Sequence, residues 1–185
     1  MIVYKIINKF KHNWKKTNKM IREAKANDVE RITRIHLNSW RTTYNKIFPE
    51  EVFDKQESEY SIRVQKIKEA IANNTSNYIV LEENNIIKAF ICYGPARGDK
   101  YKNFKEIYSI YIEKENQNKD YGSKLINYCF DLFKKEEYNN VIIRCLKGNS
   151  AEEFYHKIGG TVIDSEKCTL HNIDIIENVY KFNLD

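Results

Sequence analysis

Residues 106–123 place in order a β-branched and aromatic run, a short polar loop and the start of an amphipathic segment. The loop, Gln117-Asn118-Lys119-Asp120-Tyr121-Gly122-Ser123, has the makings of an anion site. The first backbone N–H groups of a helix lack partners within the helix, and aligned peptide dipoles add partial positive charge there. Such amides can hold a diphosphate without a side-chain charge. Gly122 lets the backbone approach a bulky ligand, and Lys119 and Lys124 can add charge. The same pattern also fits a plain capped helix start. Two familiar phosphate loops are absent, GxxxxGK[ST] and GxGxxG. Cys92, Cys129, Cys145 and Cys168 are scattered, with no CxxC and no histidine at ligand spacing. They read as buried free thiols of a cytoplasmic protein, and no metal site is expected.

Alternation and helical periodicity supply the elements that must hold this loop in place. Residues 21–24 read as a short strand, and Asn27 or Asp28 can cap a helix running through Ile32, Ile35 and His36 towards Trp40. A second helical stretch spans residues 57–71. Residues 78–82 and 86–93 flank Glu83-Asn84-Asn85 and predict a hairpin. Residues 106–112 form a third strand, residues 122–136 a helix, and residues 141–146 a further strand. Residues 151–158 form a short helix stopped at Gly159-Gly160, and residues 161–163 and 177–184 close the sheet as an antiparallel pair. The order β-α-α-β-β-β-α-β-α-β-β describes a mixed α/β (α+β) domain, a largely antiparallel sheet flanked by helices.

Three segments in the right order resemble the GNAT superfamily of N-acetyltransferases. Residues 117–125 resemble its coenzyme A signature, (Gln/Arg)-x-x-Gly-x-(Gly/Ala), with Asp120 where the first glycine is usual. Residues 141–146 followed by Asn149 and Phe154-Tyr155-His156-Lys157-Ile158-Gly159-Gly160 resemble the family's next block. Ile21-Arg22-Glu23-Ala24 with Asp28 and Ile32 resembles its opening strand and helix, and Ser39-Trp40-Arg41-Thr42-Thr43-Tyr44 resembles a bacterial subgroup. The resemblance covers residues 20–184.

The resemblance implies the GNAT fold, with acetyl-CoA as cofactor and direct acetyl transfer to a primary amine in a ternary complex. Positioning and oxyanion stabilisation supply most of the rate. The loop residues Gln117, Asn118, Lys119, Asp120, Tyr121, Gly122 and Ser123 would wrap the diphosphate, with Asp120 turned away or capping the helix. Backbone groups of Ile110, Tyr111 and Ile112 would meet the pantetheine amides, in a slot opened where this strand splays from its neighbour. Tyr155 occupies the position of the acid that protonates the leaving thiolate; a phenol with an ordinary pKa near 10 is protonated at neutral pH. Asn149 would contact the pantetheine arm or an ordered water, or cap the following helix. Glu106, placed by alternation on the face of Tyr108 and Ile110, is the candidate base, with His36 as the other. Trp40, Tyr44 and Phe48 would wall the acceptor pocket, with Glu50, Glu51 and Asp54 as nearby acids.

Composition bounds the alternatives. The 185 residues suit one domain, and net charge is +5. Residues 1–19 carry six lysines and no acid, so the remainder is close to neutral, and no nucleic-acid partner is expected of it. Those nineteen residues form a basic amphipathic extension: Ile2, Ile6, Phe10 and Trp14 recur every four residues. They can lie on a membrane or an acidic partner, pack as an extra helix, or precede a true start at Met20. Residues 20–185 form the N-acetyltransferase domain. No run spans a bilayer, so the protein is read as soluble and cytoplasmic, with a small-molecule or peptide amine acceptor and a possible homodimer. Two other classes stay open: a non-catalytic acetyl-CoA sensor and a ribosome- or RNA-associated protein of the same fold.

Overall fold

A computed structural model describes residues 18–184. The basic extension therefore lies outside the described residues, save Asn18 and Lys19. Lys19 belongs to the domain, because it opens β1 (Lys19–Glu23) opposite Glu83. A 3-10 turn leads into α1 (Val29–Tyr44), then α2 (Glu50–Ser58), α3 (Tyr60–Ala72), β2 (Asn77–Glu83), β3 (Ile86–Pro95) and β4 (Lys105–Ile112). The chain continues through α4 (Tyr121–Lys135), β5 (Asn140–Leu146), α5 (Ala151–Lys157), β6 (Thr161–Leu170) and β7 (Ile173–Asn183). The seven strands form one sheet in the order β1-β2-β3-β4-β5-β7-β6, with β4–β5 its parallel pair and the other neighbours antiparallel.

Two departures from the sequence reading have physical causes. The second predicted helix, residues 57–71, corresponds to α3, and α2 precedes it as an additional helix, the chain turning between them at Glu59 (φ −90°, ψ 12°). The turn lets Phe53 pack on Trp40 while Ile67 packs on Val29 and Ile32, which one straight helix could not do. Strand β6 runs to Leu170 rather than Ile163. It is an edge strand, and the charged and polar run Asp164-Ser165-Glu166-Lys167 hides its periodicity while keeping the edge soluble. Both hairpins turn on two residues at positive φ, Asn84-Asn85 (53°, 63°) and His171-Asn172 (52°, 63°), the geometry that matches strand twist.

One face of the sheet carries α4 and α5. Leu125, Ile126, Cys129 and Phe133 form the buried stripe of α4 against Ile91, Tyr93, Ile107 and Ile143. Each large apolar side chain so buried contributes about 1.5–3 kcal/mol. The other face carries α1 and α2, where Trp40, Phe48 and Phe53 cover Leu146 and Ile175.

Candidate active site

The β4–β5 ladder has three rungs, Lys105↔Val141, Glu106↔Ile142 and Ile107↔Ile143. Beyond them β4 stays paired with β3 as far as Ile112, while β5 follows β7. The sheet therefore forks, and the β4 edge from Ser109 to Ile112 faces a slot rather than a strand. A bulge on β4 at Tyr108, between the pairs Cys92↔Ser109 and Tyr93↔Ile107, adds bend and twist at the fork. Gly94 leaves room for the end of the Tyr108 side chain, which a Cβ there would displace and whose hydroxyl donates to the Pro95 carbonyl at 2.6 Å. The fork opens a cavity of about 520 Å3.

The loop of residues 117–123 closes one end of this cavity. Asn118 and Asp120 both adopt left-handed backbone (φ 59° each), which explains why glycine suits these turns and why Asn and Asp are tolerated. Asp120 sits at the N-cap of α4 without a side-chain cap bond and points into solvent. Gly122 is buried, and a Cβ there would meet Phe154 at 3.2 Å and Ile112 at 3.4 Å. Gln117, Asn118, Asp120, Tyr121, Gly122 and Ser123 line the cavity. Lys119 does not; its Nζ donates to Asn116 Oδ1 at 2.9 Å. Tyr121 takes part through its backbone end, since its ring is buried and its hydroxyl donates to Glu83 Oε2 at 2.8 Å. That bond ties the start of α4 to the β2–β3 hairpin.

Phenols gather at the other end. Tyr155, 6% exposed, lines the cavity, its ring tilted against those of Phe154 and Tyr180. Its hydroxyl has no hydrogen-bond partner among the described residues. Burial holds its proton far more tightly than in a free phenol. Burial also pushes Tyr44 up to about 12 and Tyr111 well above its ordinary value, so all three are O–H donors at neutral pH. Asn149 holds the start of α5 and meets the cavity wall. Its Oδ1 accepts from Ala151 N at 2.9 Å, capping α5, and its Nδ2 donates to Tyr44 Oη at 3.2 Å on the cavity wall.

The acetyltransferase (GNAT) domain model matches residues 41–176. The chain belongs to that family. It is an acetyl-CoA-dependent acyltransferase, and the cavity fits the donor, with free strand edge for amides and unpartnered helix amides for phosphate. An N-acetyltransferase of Bacillus subtilis, YuaI, is 25% identical over 138 residues, covering 73% of this chain and 76% of that protein. The PaiA N-acetyltransferase of Thermoplasma acidophilum, solved with coenzyme A, superposes with a TM-score of 0.71 at 22% identity, covering 87% of this chain and 98% of that one. YncA of Salmonella typhimurium, solved with acetyl-CoA, gives 0.64 at 21% identity over 90% and 94%.

Within this GNAT fork the remaining expected residues fall differently. Glu106 does not line the cavity. The bulge at Tyr108 breaks the alternation that placed Glu106 beside Ile110, so Ile107, Ile110 and Ile112 share the α4 face and Glu106 points to the other. There it is fully buried and accepts from Arg97 N (2.9 Å), Nε (3.0 Å) and Nη2 (2.5 Å), with Arg144 Nη1 at 2.8 Å. Both oxygens are occupied by cations, and Arg144 is held in turn by Glu166 at 3.1 Å. His36 also lies off the cavity, its ring 4.9 Å from Tyr111 and 6.5 Å from Phe90, and burial pushes it down to about 3. Trp40 is the hub of an aromatic cluster with Phe48 (4.9 Å), Tyr44 (5.0 Å), Phe53 (5.5 Å) and His171 (5.5 Å), so Tyr44 alone of the pair reaches the cavity. Glu50 and Asp54 are paired with Arg41. Sequence reasoning missed Arg144, Ser109 and Cys145 in the wall. A signal existed for Arg144, a lone charge inside the run Val141-Ile142-Ile143-Arg144-Cys145-Leu146.

Proposed function

We propose that the chain transfers the acetyl group of acetyl-CoA to a primary amine by direct attack, with both substrates bound in the fork. The observation that carries this reading is the arrangement of the cavity: unpartnered α4 amides at one end and the unbonded Tyr155 hydroxyl at the other. Backbone amides of Tyr121–Ser123 hold the diphosphate. The Ile110–Ile112 edge orients the pantetheine arm, so the thioester lies near Tyr155. Tyr155 Oη donates its proton to the sulfur as the C–S bond breaks. Asn149 and Tyr44 fix the wall on the α1 side, where the amine enters. The acceptor is a small-molecule or peptide amine; no helix among the described residues is long and apolar enough to cross a membrane.

Titration calorimetry with coenzyme A and acetyl-CoA, then an acceptor screen following free-thiol release, tests the reading. Heat with both ligands and amine-dependent thiol release are expected. Absence of heat with either ligand overturns it.

A further inference from the structure

The acetyl carbonyl gathers negative charge on its oxygen as the amine attacks, and preorganised donors aimed at that oxygen speed the step. Beside Tyr155 the cavity wall holds a second phenol proton without an acceptor among the described residues, that of Tyr44. We propose that Tyr44 is a catalytic residue whose hydroxyl donates to the acetyl oxygen. The inference rests on the acetyl-transfer reading above.

Tyr44 ends α1 and lines the same cavity as Tyr155 and Asn149. The two phenols are near enough that, after burial, charge on Tyr44 is one of the influences opposing ionisation of Tyr155. Asn149 decides which way its hydrogen bond to Tyr44 runs. Its Oδ1 is taken by the Ala151 N–H at 2.9 Å, so the atom 3.2 Å from Tyr44 Oη is Nδ2, which can only donate. Tyr44 Oη is the acceptor of that bond, and its own proton is left over. Burial keeps the proton in place against Asn149 and Tyr111, whose hydrogen bonds favour charge on the Tyr44 oxygen. A hydroxyl whose oxygen accepts hydrogen bonds is polarised into a stronger donor. With that oxygen engaged, Tyr44 suits a carbonyl, which needs a donor, rather than an amine N–H, which needs an acceptor. Its ring packs against Trp40 at 5.0 Å and Phe48 at 6.1 Å, so the hydroxyl is fixed in position before substrate arrives.

The step balances. The amine lone pair forms the C–N bond while the carbonyl π pair moves onto oxygen. The Tyr44 O–H stabilises that oxyanion without giving up its proton. The pair then returns, the C–S bond breaks, and the sulfur takes the Tyr155 proton. The nitrogen sheds one proton through solvent, which restores Tyr155. The two phenols thus divide the oxygen and the sulfur of the thioester between them.

The test compares Tyr44→Phe, Asn149→Ser and Tyr155→Phe with the wild type. Tyr44→Phe keeps the ring and removes only the hydroxyl, whereas Asn149→Ser removes the amide donor and keeps an oxygen able to cap α5. The first probe is a coenzyme A analogue with a methylene in place of the thioester sulfur, labelled with carbon-13 at its ketone and read by NMR when bound. A hydrogen bond to the oxygen moves that resonance downfield. Tyr44→Phe is expected to shift it upfield of the wild type, Asn149→Ser to shift it part of the way, and Tyr155→Phe to leave it in place. The second readout is thiol release from acetyl-CoA, with n-butylamine and with water alone as acceptor. Tyr44→Phe is expected to lower the faster of these rates by about 100-fold or more, while coenzyme A affinity, which also reports folding, stays within about threefold. Asn149→Ser, which leaves Tyr44 in place, carries the same comparison where Tyr44→Phe does not fold. A ketone resonance unmoved by the loss of the hydroxyl, or a rate within about threefold of the wild type, overturns the assignment and leaves the oxyanion to the free amides of the β4 edge. Failure of the wild type to bind coenzyme A, or to release thiol with either acceptor, sinks the acetyl-transfer reading instead.

Discussion

The α4 side and the α1 side of the fork are built from different materials. The α4 side presents main chain: the Ser109–Ile112 edge, the turns at Asn118 and Asp120, and the first amides of α4. On the α1 side the wall is made of side chains: Tyr44, Asn149 and Arg144. Main chain presents the same groups whatever the side chains are, which suits a donor of fixed structure. Side chains can be exchanged, which suits an acceptor that differs between relatives. The contrast also separates charge. The α4 side offers an anion only peptide dipoles, whereas the α1 side contains the ladder Arg97–Glu106–Arg144–Glu166.

Substitutions on each side test that division. The largest effect is expected where the sides meet. Tyr155→Phe should lower kcat by about 100-fold or more while coenzyme A affinity, read by calorimetry, moves less than about threefold. An unchanged kcat would remove the tyrosine from the chemistry. Next, Glu106→Gln strips a buried charge from between two arginines and should cost about 3 kcal/mol in thermal or urea unfolding. If Glu106 were the base, the loss would appear in turnover with stability intact.

Titration should act on the α1 side. His36 is neutral in the fold, its imidazole pushed down to about 3 by burial, against an ordinary 6.5. The unfolded chain therefore binds more protons between those values. The contribution is whole above pH 6.5 and is lost as pH falls, at a limiting slope of roughly 1 kcal/mol per pH unit. His36→Gln should flatten that part of the stability–pH curve. The smallest effect is expected at the β6–β7 turn, where His171 accepts or shares a hydrogen bond with Gln56 at 3.2 Å and packs on Trp40 and Phe48. His171→Ala should cost about 1 kcal/mol and raise KM for the amine more than KM for acetyl-CoA. Equal changes in both constants would erase the distinction between the sides.

The α4 side was the legible one. Its loop, its helix start and its strand are contiguous in residues 106–136, and local chemistry dictates their roles. The bulge at Tyr108 was not legible, because it arises from pairing with β3, and it turned Glu106 away from its expected face. The break between α2 and α3 answers to two separate packing surfaces, Trp40 and Val29, that no local pattern reveals. Arg144 and Glu166 are far apart in sequence and become neighbours only through the β5-β7-β6 order. Tyr155 and Asn149 were found through family resemblance, not through any property that distinguishes one of thirteen tyrosines.

The three-rung join between β4 and β5 divides the sheet where the chain order also divides. Residues 19–135 build one plank with α4 attached, and residues 140–183 build the other, each with its own ladders complete. The turn between them, residues 136–139, is thus a natural place to cut the polypeptide in two. Each fragment would carry one lip of the binding groove, and catalysis would return only when the two halves met.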